Sequence, residues 1–483
     1  MQTSVLLSPQ AWAEQTFGPV QVGDHRRSRR VIELATRIAH DPAASLPAQM
    51  QEHKVLQAAY RLLHCPDVTY DQLIAPHVQQ TRQEVRERQR VLLIQDTTEV
   101  DYQQYPRTQG LGPIGKQNAH QGFLLQSVLA VEAQAQEVLG LAYQEPFLRT
   151  PAPEGETDWQ RQFRPRESQV WERAVQAIGT PPPGVQWIHV GDRGSDMFPL
   201  LFLCRQVHTD LVVRASQDRC VDLLVEQGAL PAAPRSHHQA RPGQPAQVGS
   251  QHLFEVVRQW PTKDEAELHL DASQKRAART AHVAISWGAL RLLPPRSSAT
   301  SAGLHPLVVW VVRVWEPEPP EGVEALEWVL LCSLPIASPE QAWQCVQWYR
   351  CRWTVEDYHQ GLKTGCRVEQ RHLQDYASLR RLLGFLGPTA VRLLQLRAVA
   401  RLEPERPASA VLSADVVQVV AALAQVPVAQ LTAHQAWHKI ASYGGYQGRK
   451  SDGPPGWKTL WKGWFYIQAL VEGVHLAAQL SLD

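Results

Sequence analysis

The sequence predicts an α/β protein whose mixed sheet carries helices on its faces, with helical segments at both ends and a β-rich insertion. Three observations predict it. Short apolar runs that finish in polar residues, at 91–96 (VLLIQD), 186–192 (QWIHVGD) and 210–216 (DLVVRAS), read as buried strands. Segments with helical spacing separate the later runs, at 167–178 and 195–206. No strand pattern precedes Arg90.

In chain order, residues 26–40 and 50–63 form two candidate helices, and Thr69 with Gln72 makes a capping box that opens a third. After the strand at 91–96, the runs GFLLQSVLAVE and EVLGLAYQE, separated by AQAQ, read as a hairpin. The order from there is helix, strand, helix, strand, as a mixed sheet with covered faces requires. From about 217 to 335 the pattern loosens: proline-rich stretches at 230–249 and 316–322 bracket β-like runs such as LVVWVVRVW and WVLLCSL. One long helix is expected over 339–362, and past 375 the chain is helical again, with breaks at 387–388, 403–407 and 453–455. This gives a helical domain at 1–68, an α/β domain at 69–375 with its insertion at about 217–335, and a helical domain at 376–483.

Bulk properties narrow the classes. A chain of 483 residues is too long for one ordinary core, so two to four domains are expected. It has no run of eighteen apolar residues to span a bilayer, and its start lacks the pattern of a secretory signal, so a cytosolic protein is expected. Seven cysteines, an odd set without a CxxC pair, fit reduced thiols rather than a disulfide frame or a structural zinc site, and His237-His238 reads as loop. A net charge of +1 does not advertise nucleic-acid binding, so a chain that binds phosphate must gather its cations locally. HRRSRR (25–30) does so, with Arg26, Arg27, Arg29 and Arg30 in five positions; alone, such a run is more often a solvated face.

On a continuous helix, Tyr349, Arg352, Glu356 and Lys363 fall on one stripe with Trp353 at its margin, while Cys351, Val355, Tyr358 and Leu362 face the other way to pack. The plain reading is a solvated Arg352–Glu356 pair. Against it stand a tryptophan left toward solvent, two cations around one carboxylate, and a tyrosine at the head of the stripe, the residue types that grip phosphate oxygens beside a metal ligand. Asp96 and Asp192 each end an apolar run, where α/β sheets gather ligand chemistry; a lone aspartate there is more often a turn former. If the three carboxylates converge, their repulsion, on the order of 4 kcal/mol for a pair at about 4 Å and an effective dielectric of 20, calls for hard cations such as Mg²⁺. Two such ions can drive in-line displacement at a phosphodiester.

With these residues in view, the chain resembles a DDE transposase of the bacterial insertion-sequence IS-four family, of the Tn-five transposase type. QDTTEVDY (95–102) and GDRGSDMF (191–198) resemble the two aspartate segments, and YRCRWTVEDYHQGLKTG (349–365) matches the family's Y-x2-R-x3-E-x6-K signature. FGPVQVGDHRRSRR, AVRLLQLR and LWKGWFYIQAL resemble further family segments, so the likeness spans nearly the whole chain. The resemblance implies a ribonuclease-H-like core, an N-terminal domain that binds the element's ends and a C-terminal dimerisation domain. It implies two Mg²⁺ or Mn²⁺ ions held by Asp96, Asp192 and Glu356, and phosphate contacts from Tyr349, Arg352, Lys363 and Arg214. Trp328 and Trp353 match positions that stack on a flipped base. The implied reaction runs through nicking, hairpin formation and opening, and joining to target DNA, within a synaptic homodimer on double-stranded DNA in the bacterial nucleoid. The other readings of the residues are a non-catalytic DNA-binding regulator, for which Met50 offers an internal start, and a host nuclease on the same core.

Overall fold

The computed structural model describes residues 7, 9–150, 153, 155–157, 160, 164, 166–224, 251–270, 279–295, 303–402, 404–410, 412–449 and 455–480. In chain order the elements are α1 (Pro9–Phe17), α2 (His25–His40), α3 (Leu46–Met50), α4 (His53–His64), α5 (Tyr70–Arg86), β1 (Arg90–Asp101), β2 (Gly112–Ile114), β3 (His120–Glu132) and β4 (Val138–Phe147). There follow α6 (Gln169–Ile178), β5 (Gln186–Gly191), α7 (Phe198–Gln206), β6 (Asp210–Arg214), β7 (Cys220–Leu223), β8 (Gln251–His252), α8 (Leu253–Arg258), β9 (Asp264–Leu270), β10 (Arg279–Leu292), β11 (Leu307–Trp315) and β12 (Glu327–Cys332). The chain then continues through α9 (Pro339–Arg350), α10 (Trp353–Gln360), α11 (Tyr376–Leu402), α12 (Ala414–Ala424), α13 (Ala433–Tyr443) and α14 (Trp457–Leu480).

The chain divides into two compact units. One comprises Met1–Gln89, Thr97–Pro151 and Trp353–Asp483, the other Arg90–Asp96 and Ala152–Arg352.

In the first unit, α2 starts where the Asp24 carboxylate accepts the Arg26 backbone N–H at 2.8 Å, and it buries Val31, Leu34, Ala35 and Ile38. The expected box at Thr69 and Gln72 closes the start of α5 with both of its reciprocal bonds. β3 and β4 form the expected antiparallel hairpin, with register shifts at Val128/Leu129 and Ala130/Val131. Tyr70 on α5, Gln144 on β4 and Tyr358 on α10 form a buried chain: the Tyr70 hydroxyl donates to the Gln144 side chain at 3.1 Å, whose amide donates to the Tyr358 hydroxyl at 2.6 Å. At the C-terminal end, α12, α13 and α14 enclose a core built on Val416, Val420, Trp437, Ile440 and Ile467. Gly444 and Gly463 let α13 and α14 meet backbone to backbone, since a Cβ on either would lie 1.7 Å from a carbonyl oxygen of the other segment.

The second unit is built on a sheet. The first half of β1 pairs parallel with β5, β5 pairs parallel with β6, and β6 runs antiparallel to β12. β11 and β10 extend the sheet antiparallel, β7 and β9 each pair with β10, and β8 pairs with β7. Val91, Leu92, Ile94, Ile188, Val190 and Val212 are fully buried, as an inner parallel strand requires.

Three expectations need correction. β1 does not stop at Asp96 but runs on to Asp101, so that aspartate is the first partly exposed residue after a buried run rather than a strand end. The single helix over 339–362 is interrupted: α9 ends at Arg350, Cys351 and Arg352 form a turn, and α10 starts at Trp353 and widens into a π-helical turn over Gly361–Gly365. Among its described residues the loosened stretch also contains four strands and a helix that the sequence pattern did not reveal: β7, β8, β9, the fourteen-residue β10, and α8. The parts of that stretch at 225–250, including His237 and His238, at 271–278 and at 296–302 lie outside the described residues.

All seven cysteines are free, and no described helix is long and apolar enough to cross a membrane.

Candidate functional site

The register of β1 against β5 relates the two candidate aspartates. Arg90 pairs with Gln186 and Ile94 with Val190, a constant offset of 96 residues; the ladder ends there, two residues short of Asp96 and Asp192, which share that offset. Asp192, which follows β5, has extended backbone (φ −81°, ψ −164°). Neighbouring strands lie about 4.8 Å apart, and in-register side chains of parallel strands project to the same face. Both aspartates are partly exposed, directly beyond fully buried Ile94 and Val190.

The loop after β5 is shaped to present Asp192. Its carboxylate accepts the Gly194 N–H at 2.8 Å. Gly191 has no room for a side chain, because a Cβ would lie 2.2 Å from the Ser195 hydroxyl. Asp196, fully buried as a side chain, pairs with Arg219 at 2.7 Å and accepts the backbone N–H groups of Ser216 and Gln217. This acid therefore fastens the Asp192 loop to the segment leaving β6.

In the same unit, four candidates come together from β6, β12, α9 and the turn that follows α9. Arg214 at the end of β6 hydrogen-bonds Tyr349 on α9, and it donates to the Glu327 carbonyl oxygen at 3.0 Å. The Trp328 ring on β12 meets the Tyr349 ring edge-on with centroids 5.3 Å apart. Arg352, buried in the turn after α9, adds a second positive charge near Arg214, and Arg193, the residue after Asp192, adds a third. Burial lowers the Arg214 pKa, the hydroxyl of Tyr349 opposes that shift, and the two neighbouring guanidinium groups reinforce it. Arg193 was not among the sequence candidates. Crowded guanidinium groups are favourable only where an anion comes among them, and phosphate oxygens suit their forked donors. Glu327 ties Arg258 (2.6 Å) and Arg313 (3.0 Å) to the edge of β12 next to Trp328.

In the first unit, Glu356 lies in the first turn of α10 and is partly exposed. Val355, Tyr358 and Leu362 are buried, as expected of the packing side of this helix. Trp353 at its head is 53% exposed, the placement that had made the solvated-face reading costly. Lys363 pairs with Glu369 at 3.3 Å, and the Glu369 carboxylate also accepts the Asp101 N–H at 3.2 Å. Among the described residues no group of three or more His, Cys, Asp or Glu side chains forms a ready metal cluster.

HRRSRR occupies the first turns of α2. That first turn holds no acidic residue, and apart from the Asp24 cap nothing at the helix start opposes the positive end of the dipole, which disfavours cations by a few tenths of a kcal/mol each. Arg26 and Arg29 are exposed, Arg30 is partly exposed, and Arg27 reaches Asp67 at 3.0 Å. Cations kept at the unfavourable end of a helix are better explained by a ligand than by stability.

Comparison with known families supplies the context. Residues 9–68, which contain α1 to α4 and the arginine cluster, match the family described as transposase DNA-binding. Residues 389–482, which contain the packed α12–α14 core, match the transposase Tn5 dimerisation domain. The two matches together support a Tn5-type transposase. As a Tn5-type transposase it binds DNA, through a domain that carries HRRSRR, and it carries its own dimerisation domain. The structure around these domains is mixed α/β with a large sheet.

Proposed function

We propose that this transposase cuts DNA at the ends of its element and joins those ends to target DNA, with Asp96, Asp192 and Glu356 as its catalytic carboxylates. The observation that supports the reading is the parallel pairing of β1 with β5, whose 96-residue offset, extended two residues past its last pair, would set Asp96 against Asp192, next to the Arg193–Arg214–Arg352 cluster. Brought side by side, two such hard oxygen donors would fit Mg²⁺ or Mn²⁺, and Glu356 would complete the set for two ions. When bound, such ions activate an attacking oxygen and stabilise the leaving one.

The protein's own groups then have distinct tasks. Arg214, Tyr349 and Arg352 grip phosphate oxygens of the strand to be cut, and Lys363 supplies a further positive charge. Trp328, held edge-on by Tyr349, and exposed Trp353 offer ring faces to a base turned out of the duplex, where stacking contributes roughly 1–3 kcal/mol. Water attacks one phosphodiester and releases a 3′-hydroxyl. That hydroxyl attacks the opposite strand to form a hairpin, water reopens it, and the 3′-hydroxyl finally attacks target DNA. Each step exchanges one phosphorus–oxygen bond for another, so no covalent enzyme intermediate is required. The dimerisation domain holds two ends together in a synaptic homodimer.

The test uses Glu356→Ala on DNA carrying the element's own end. Loss of cleavage with end binding retained supports the assignment. Cleavage at the parental rate removes Glu356 from the chemistry, and end binding without any cleavage by the parent protein points to a non-catalytic regulator.

A further inference from the structure

α13 carries two histidines one helical turn apart, His434 and His438, in an HxxxH spacing that sets both side chains on one face. Their rings lie 4.1 Å apart, centroid to centroid, with planes inclined by 34°. The buried residues of the helix, Ala433, Ala436, Trp437, Ile440 and Ala441, form its inner side, while His434 is exposed and His438 partly exposed on the outer flank. Tyr446 packs edge-on against His438 at 5.3 Å and fixes one side of that ring. Among the described residues neither imidazole is engaged by a hydrogen bond or an ion pair through its ring.

We propose that His434 and His438 form a two-imidazole binding site for a borderline transition-metal dication of the zinc type. Zinc–nitrogen bonds of about 2.0–2.1 Å place two ligands of a tetrahedral site about 3.3 Å apart. Because each ring centre lies behind its ligating nitrogen, a tetrahedral site holds the two centroids about 5 Å apart, so rings now 4.1 Å apart would have to turn slightly outward to aim a nitrogen each at a shared ion. Coordination needs neutral imidazole, and burial with the neighbouring His434 lowers the pKa of His438, which favours the neutral form. No third side chain among the described residues completes a cluster, so water or another donor occupies the remaining positions. Nitrogen ligands separate this site from the carboxylates proposed for catalysis, which favour harder ions.

The experiment titrates the full-length chain with Zn²⁺ in saturating Mg²⁺, by calorimetry and by thermal unfolding. One zinc equivalent is expected in the parent protein, at least tenfold weaker in His434→Ala and in His438→Ala, and restored in His434→Cys, whose thiolate is itself a zinc ligand. His434 is exposed, so its replacement leaves the fold in place. Equal zinc affinity and stoichiometry in parent and alanine variants overturns the proposal, as does a folded His434→Cys variant that fails to regain the site. Neither outcome bears on the carboxylates, which the Glu356→Ala cleavage assay addresses separately.

Discussion

Asp192 and Asp96 share the 96-residue offset at which β5 runs parallel to β1, two residues beyond the last pair of that ladder, Ile94 with Val190. Neither position has chemical meaning without the other. Two carboxylates on neighbouring strands repel each other, and a protein that keeps them loses some stability until a cation arrives. Replacing one of them should therefore stabilise the metal-free protein while abolishing its chemistry. Asp192→Asn is the informative variant, because asparagine retains the bond that caps Gly194. The expected gain is about 1 kcal/mol, the value for unit charges about 5 Å apart in a largely solvated setting. Added Mg²⁺ should raise the unfolding midpoint of the parent but not of the variant. A variant that unfolds at a lower temperature, or a Mg²⁺ response that survives the substitution, contradicts the pairing.

A second prediction concerns the hydrogen bond between Arg214 and Tyr349. The arginine is half-buried among like charges, and the tyrosine hydroxyl is one of its few acceptors. Tyr349→Phe should cost about 1 kcal/mol in urea denaturation, the usual contribution of a hydrogen bond to a partly buried group. If Tyr349 also grips DNA, the folded variant should cleave end DNA at least tenfold more slowly while Trp328 keeps its edge-on ring packing. Slower cleavage that recovers fully once the reduced stability is compensated by temperature would limit Tyr349 to a structural role.

These two relationships differ in how far the sequence revealed them. The apolar runs at 91–96 and 186–192 were legible as strands because an inner parallel strand needs apolar side chains on both faces. That they are neighbours, and in which register, depends on hydrogen bonds between segments far apart in the chain, which no local pattern records. The break at Cys351 and Arg352 was hidden for another reason. No proline or glycine marks it, and the Cys351 N–H lies within reach of the carbonyls of Gln347, Trp348 and Tyr349 as the turn tightens. Helical spacing therefore continued through a point where the backbone did not. β10 escaped notice because its burial pattern, with long runs of inward residues, lacks the alternation of a half-exposed strand. The capping box at Thr69 and the hairpin of β3 and β4 were legible because both are set by residues close in sequence.

Acid sensitivity follows from three histidines sealed in apolar surroundings. Burial lowers the pKa of His77 to about 4, and of His189 and His359 to about 3; for His359 the charge of Lys363 adds to the effect. His77 accepts the Leu141 N–H through Nε2 at 3.2 Å, a bond that requires the neutral ring. Among the described residues, neither ring nitrogen of His189 has a hydrogen-bond partner. Below pH 6.5 the unfolded chain binds these protons and the folded chain does not, so stability falls as pH drops from about 6.5 toward 4. Each histidine contributes up to about 1.4 kcal/mol per pH unit in that window. His189→Leu should remove one such contribution, flattening the acid limb of a plot of denaturation midpoint against pH. An unchanged limb would show that His189 is hydrated or charged in the folded protein.

The arginines at the start of α2 should govern how tightly the transposase holds DNA and how that hold depends on salt. Arg27 is shared with Asp67, whereas no acidic residue of the first turn offsets the cluster as a whole. For every phosphate that a variant no longer neutralises, the slope of log affinity against log salt should shrink by about 0.9, so a double Arg27→Ala, Arg30→Ala variant should lose about 2 if both touch the backbone. Arg27→Ala also frees Asp67, whose exposed carboxylate then repels phosphate, so a second variant, Asp67→Asn, separates the two effects. That variant keeps Arg27, and its binding should tighten because the arginine is released from its ion pair. Binding measured across a salt series decides the matter: an unchanged slope in the double variant would return HRRSRR to an ordinary solvated face, and a slope reduced for the double variant but not for Asp67→Asn would place both arginines on the DNA backbone.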